Sequence, residues 1–212
     1  MTSLPKIVIV ISGRSRSGKT FVANEILARP MSRMVPFAGL LKEALFQEFP
    51  LSYSDDWKSK SVSASPSQIK RCFGYFCNKA LGYNDFATPN FVPTWVKTGR
   101  HVLQYFGTEI CRDIISPLVH IEYVVDSVFE DKTNSIFVMD DLRFEDELEL
   151  SRLHFNEKNN CQFFHIHKLG GETGDNHSSE KSIDALGERA DFICERDKHI
   201  PIVKEILNQA KK

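Results

Sequence analysis

The residues best suited to chemistry lie near the start of the chain. Gly13-Arg14-Ser15-Arg16-Ser17-Gly18-Lys19-Thr20 has the spacing G-x-x-x-x-G-K-T and follows the apolar run Ile7-Val8-Ile9-Val10-Ile11 directly. A loop of this kind, between a buried strand and a helix, is the P-loop pattern for gripping phosphates. Backbone N–H groups close around phosphate oxygens, and Gly13 and Gly18 permit turns that a Cβ would obstruct. The helix that follows adds its partial positive end and its unpaired N–H groups. Lys19 then reaches the β- and γ-phosphates, and the Thr20 hydroxyl ligates Mg²⁺. The expectation is a nucleoside triphosphate site built from Gly13 to Thr20. A chance Ser/Gly loop is the rival reading, and the strand and helix on either side count against it.

Four further clusters fall near predicted strand ends or in loops, the edge at which open α/β sheets bind ligands. Asp140-Asp141-Leu142-Arg143, with Glu147 four residues beyond Arg143, follows the apolar Ile136-Phe137-Val138-Met139. An acid at such a strand end is where a P-loop protein places its Mg²⁺-associated carboxylate, and the sequence does not choose between Asp140 and Asp141. Arg143 would neutralise charge on a transferring phosphoryl group, with Glu147 aligning it; a surface ion pair of little energetic weight is the alternative. Arg100 and Gln104 share one helical face, where a guanidinium and an amide would hold a phosphate and a base edge. A solvated helix edge fits those two residues equally well. Gly170-Gly171-Glu172-Thr173-Gly174 reads either as the hinge of a lid over 168–181 or as a plain surface loop, and His177 follows it. His165 and His167 share a strand face, but no third ligand stands at zinc spacing, so an ordinary strand face is expected there.

These groups need a frame, and the hydrophobic pattern supplies one. Strands are predicted at Lys6–Ser12, Arg33–Phe37, Ser135–Met139, Cys161–His167 and Asp191–Cys194. Helices are predicted at Lys19–Arg29, Ala38–Phe49, Gln68–Leu81, Arg100–Cys111, Val119–Glu130, Phe144–Phe155 and Ile200–Ala210. Seven serines in 51–67 mark a surface loop, and 82–93 reads as irregular. Strands alternating with helices predict an α/β fold, a parallel sheet with helices on both faces. One domain over 1–212 with a single core is expected, carrying a variable insertion at 51–93.

Composition sets limits on partners. The chain has 212 residues, 42% of them apolar, and a formal net charge of −1, so no global field draws in nucleic acid or an anionic membrane. Any phosphate must be met by locally placed Lys and Arg. Cys72, Cys77, Cys111, Cys161 and Cys194 are odd in number and scattered, as reduced cytosolic thiols would be. No secretory leader or membrane span is evident.

Taken together, the motifs are similar to those of the phage-type deoxynucleoside monophosphate kinase family, a branch of the P-loop kinases. The matching pieces are Ser12-Gly13-x-x-Arg16-Ser17-Gly18-Lys19, Phe37-Ala38-Gly39-x-Leu41-Lys42-Glu43-Ala44 and Arg100-x-x-x-Gln104-x-x-Gly107-Thr108-Glu109. Asp141-x-Arg143-x-x-x-Glu147 and His177-x-Ser179-Glu180 follow in the same order. The resemblance implies a nucleoside monophosphate kinase-like P-loop fold and ATP- and Mg²⁺-dependent phosphorylation of a deoxynucleoside monophosphate. It implies that Lys42, Arg100 and Arg143 meet the acceptor phosphate or the transferring group, with Gln104, Asp141 and Glu147 beside them. Between Lys168 and Glu188 there is no arginine, so Arg14 or Arg16 in the loop could supply the charge that lid arginines give in common monophosphate kinases. Arg16, unlike Arg14, matches the family pattern. Lys19, Arg16 and Arg143 are therefore the expected catalytic residues, and Thr20 with Asp140 or Asp141 the expected Mg²⁺ ligands. Thr20 stands where family members often carry Asp, and 51–93 matches poorly, which leaves base preference open. Animal-type phosphomevalonate kinase shares the Lys42 and Asp141-x-Arg143 segments and is the nearest alternative. A nucleotide-dependent switch is a further one, although Asn78-Lys79-Ala80-Leu81 lacks the Asp of a guanine reader. Expected partners are small nucleotides, with a homodimer left open. The expected location is the cytoplasm, that of the host if the chain is viral.

Overall fold

The computed structural model describes residues 5–48, 63, 65–81, 93–116, 118–157, 161–171, 182–196 and 198–209. β1 (Ile7–Ser12) is β-branched up to its final serine and buried on both faces, which suits only a central strand. It lies between β3 (Ile136–Leu142) and β4 (Gln162–Lys168), with β2 (Ser32–Met34) and β5 (Phe192–Cys194) at the edges. All pairings are parallel and the order is β2-β3-β1-β4-β5. The fold is therefore α/β on a five-stranded parallel sheet.

The chain divides into two compact units, one of residues 1–37 with 124–212, the other of residues 38–123. In the first unit α1 (Lys19–Leu27) and α8 (His199–Gln209) cover one sheet face. Val22, Ile26, Val203 and Ile206 pack there on Ile9, Ile11, Val138 and Ile166. On the opposite face Val8, Val10, Phe137 and Met139 are buried. The stacked rings of Phe129, Phe155 and Phe163 join α5 (Val119–Glu130) to β4 through the π-helical turn Arg152–Glu157 that extends α6 (Glu145–Ser151). A last short helix, α7 (Ile183–Glu188), precedes β5.

The second unit is helical. α2 (Gly39–Glu48), α3 (Pro66–Leu81) and α4 (Gly99–Gln104) pack around Leu41, Ile69, Phe73, Phe76, Val102 and Phe106. This hydrophobic cluster is distinct from the one under the sheet, where a single core was expected. Helical spacing in a sequence marks an apolar face without saying which partner it meets.

Several boundaries move for identifiable reasons. β2 ends at Met34, three residues before the expected end. Val35 N still reaches Val138 O at 2.8 Å, but Pro36 has no N–H to continue the ladder. α3 begins at Pro66, a residue pre-set for a first helical turn. Ser65 and Gln68 form a reciprocal capping box there, Gln68 N to Ser65 Oγ 3.3 Å and Ser65 N to Gln68 Oε1 3.0 Å. The helix expected over 100–111 is α4 followed by a π-helical stretch, Tyr105–Ile115, closed by Ser116 N on Cys111 O at 2.8 Å. The predicted loops over most of 51–67 and 82–93, and the lid residues 172–181 with His177, lie outside the described residues.

Candidate functional site

Because the sheet is parallel, β1, β3 and β4 end on the same edge, and the Gly13–Thr20 loop rises there from β1. Both of its glycines take positive φ. Gly13 has φ +144°, and a Cβ on it would stand 2.5 Å from Lys168 O and 2.9 Å from Ser17 Oγ. Gly18 has φ +93° and is the N-cap of α1, so the helix starts at Lys19 with its first N–H groups turned toward the loop. Arg16 takes a left-handed conformation, φ +58°, unusual for a residue with a side chain. Ser17 N closes a tight turn on Arg14 O at 3.2 Å.

The side chains gather around this turn. Lys19 Nζ donates to the carbonyls of Gly13 (2.7 Å) and Arg14 (2.8 Å), which brings its charge back over the loop. Ser17 Oγ is buried without a hydrogen-bond partner among the described residues, a polar atom held inside the turn. Gly171, at φ +98°, lies against the loop from the β4 side: a Cβ there would clash with Ser15 O and stand 3.0 Å from Ser17 N. Gly171 of the expected hinge is thus packed on the Gly13–Thr20 loop, whereas a Cβ on Gly170 would meet open space. Arg14 Nη2 pairs with Asp184 Oδ2 of α7 at 2.5 Å, a contact that no local pattern announced.

The carboxylates after β3 divide their work. Thr20 Oγ1 donates to Asp140 Oδ2 at 3.3 Å, whereas Asp141 Oδ1 accepts Phe37 N at 2.7 Å. The cause is a register shift: Val10 pairs with Met139 but Ser12 with Leu142, so β3 carries an extra residue there. A bulge of this kind re-aims the side chains on either side of it. Among the described residues there is no group of three or more His, Cys, Asp or Glu able to cage a metal. A Thr hydroxyl with one carboxylate is a donor set that fits Mg²⁺, which keeps most of its shell as water and phosphate oxygen. Glu147 Oε2 accepts the main-chain N–H groups of Arg143 (3.0 Å) and Phe144 (3.2 Å), capping α6 and fixing the backbone that carries Arg143.

Lys42, Arg100 and Gln104 belong to the second unit, on α2 and on α4, which pack together. A Cβ on Gly107, in the π-helical stretch after α4, would stand 3.3 Å from Leu41 Cδ1, so this glycine leaves room for the Leu41 side chain of α2. Thr98 Oγ1 caps α4 by accepting His101 N at 3.3 Å.

His165 and His167 are more than a strand face. Ser12 Oγ lies 2.8 Å from His165 Nε2 and 2.9 Å from His167 Nδ1, and all three residues are buried beneath the loop. Burial pushes the His165 ring down to about 3, with nearby Arg152 adding to the effect, and burial likewise lowers His167. The sequence did place both rings on one face; it held nothing to connect them with Ser12. All five cysteines are buried and none is in a disulfide, and burial raises the thiols of Cys77, Cys111, Cys161 and Cys194. Among the described residues no helix is long and apolar enough to cross a membrane. No protein-family model matches the chain, and no curated protein resembles it significantly in sequence.

Proposed function

We propose that this chain is an ATP- and Mg²⁺-dependent kinase that phosphorylates a deoxynucleoside 5′-monophosphate to the diphosphate. The observation that carries the reading is the loop itself. Two glycines in conformations closed to other residues, a lysine folded over the turn and a Thr20–Asp140 pair meet at the mouth of one helix. That combination matches what a triphosphate tail and its cation need.

In this reading an oxygen of the acceptor's 5′-phosphate attacks the γ-phosphorus, the bond from that phosphorus to the β,γ-bridging oxygen breaks, and ADP departs. Main-chain N–H groups of the loop and Lys19 bind the β- and γ-phosphates. Thr20 and Asp140 would hold Mg²⁺, which would supply positive charge to offset that of the phosphates. Arg16, on the exposed left-handed residue of the turn, is assigned to the transferring group because it matches the family pattern. Glu147 orients the segment from which Arg143 reaches toward the same charge. Lys42, Arg100 and Gln104 are assigned to the acceptor from the family resemblance. Phosphoryl transfer asks little covalent chemistry of the protein, and an arginine at the transferring group is worth roughly 10³–10⁵ in rate.

The test is coupled ADP release with ATP against each deoxy- and ribonucleoside monophosphate and against phosphomevalonate, with Arg16→Ala alongside. A strong response to one deoxynucleotide, lost in Arg16→Ala while ATP still binds, is the expected result. Turnover with phosphomevalonate alone would move the chain to that activity. Slow hydrolysis indifferent to every acceptor would make it a switch.

A further inference from the structure

Beneath the loop, three polar side chains occupy a place where the strand pattern calls for apolar ones. Val8 and Val10 precede Ser12 on the same face of β1, and both are fully buried. Ser12, His165 and His167 sit beside them with almost no exposure. Burying such groups is costly unless they bond to one another, so an apolar trio would serve a purely structural purpose at lower cost.

The geometry of the cluster points at the loop. β1 and β4 run in even register, Val10 opposite His165 and Ser12 opposite His167. On the other side of β1 the ladder is interrupted between Val10 and Ser12 by the bulge in β3. The height at which β1 hands over to Gly13 is therefore set from the β4 side. Gly13 rests on Lys168 O, one residue beyond His167. A hydroxyl carries one proton, so Ser12 donates to one ring nitrogen and accepts from the other, and both bonds are made when the rings hold complementary neutral tautomers. Behind His167 stands Gly187 of α7, whose added Cβ would meet the ring at 3.2–3.3 Å. The same helix presents Asp184 to Arg14. α7 thus bears on the loop twice, through the Arg14 pair above and through the His167 ring below.

We propose that Ser12, His165 and His167 form a positioning cluster that holds the Gly13–Thr20 loop in its anion-binding shape, with His167 transmitting the support of α7. None of the three touches the ligand; they act through the turn that Ser12 enters. The proposal rests on the reading of this loop as a phosphate site.

Inorganic tripolyphosphate, which has neither base nor sugar, reads the loop alone. Its binding is measured by calorimetry on the full chain at pH 7.5, at a temperature where each variant is folded by circular dichroism. His167→Leu should weaken binding about 10-fold, the effect of losing one buried hydrogen bond. His167→Asn, whose amide occupies the place of Nδ1, should restore most of it. A cluster that serves only stability would lower the melting temperature and leave affinity untouched. Wild-type affinity in folded His167→Leu overturns the proposal, as does an equal loss in His167→Asn. Should His167→Leu not fold, Ser12→Ala decides: weakened binding supports the cluster, wild-type binding overturns it. Failure of the wild-type chain itself to bind tripolyphosphate is a separate result, which overturns the phosphate reading and this inference with it.

Discussion

Acidification should destabilise this fold through His165 before most carboxylates begin to protonate. In the unfolded chain the ring takes up its proton near 6.5; in the folded chain burial delays this to about 3. Between those values the unfolded state binds one proton more than the native state. The stabilisation is therefore complete above pH 6.5 and is lost as the pH falls toward 3. The slope is about 1.4 kcal/mol per pH unit, so His165 alone should remove about 1.4 kcal/mol between pH 7.5 and 5.5, and about 2.7 kcal/mol by pH 4.5. The assay is urea unfolding of the wild type and of His165→Gln across that range. A glutamine amide can keep the bond to Ser12 but cannot titrate. Groups common to both chains, His167 and the carboxylates among them, cancel in the difference. That difference should shift in favour of the variant by about 1.4 kcal/mol from pH 7.5 to 5.5. A difference independent of pH, or a His165 ring resonance titrating near 6.5 in the native protein, would refute the argument that this imidazole is buried neutral against Ser12.

Asp140→Ala and Asp141→Ala should part company: the first should raise the Mg²⁺ concentration needed for half-maximal ADP release about 10- to 100-fold. The second should leave that midpoint alone and cost about 1–3 kcal/mol in urea unfolding, because Phe37 N loses its acceptor. At the far edge of the sheet, Asp131 accepts bonds from Asn134, Arg33 and Thr133, which hold its carboxyl well below the usual range. Asp131→Ala should lower the unfolding free energy by about 1–3 kcal/mol with no change in tripolyphosphate affinity.

How much of this was legible depended on how far apart the interacting residues stand in the chain. The Gly13–Thr20 loop is local: strand, glycines, lysine and the start of the helix lie within 15 residues of one another, and each constrains φ or charge at its own position. The parallel sheet was legible for a similar reason, since runs such as Ile7–Ile11 suit only strands covered on both faces. The end of β2 was misplaced because Val35 keeps its ladder bond while Pro36 and Phe37 do not, a matter of who stands opposite. The start of α3 at Pro66, with its capping box of Ser65 and Gln68, was not read from the sequence, which placed the helix from Gln68. Nor was the π-helical form of Tyr105–Ile115, because its residues show the same apolar spacing as an α-helix.

By itself the sequence determined the class of fold, the glycine-dependent turn between β1 and α1 and the presence of acids after β3, since each follows from residue type and short-range spacing. Only the folded chain decided which acid faces Thr20, through one extra residue in β3. It alone brought Asp184 to Arg14 and set Ser12 between two histidines more than 150 residues away. Those outcomes depend on strand register, and register is fixed by how two distant segments align their buried faces, a quantity neither segment contains alone.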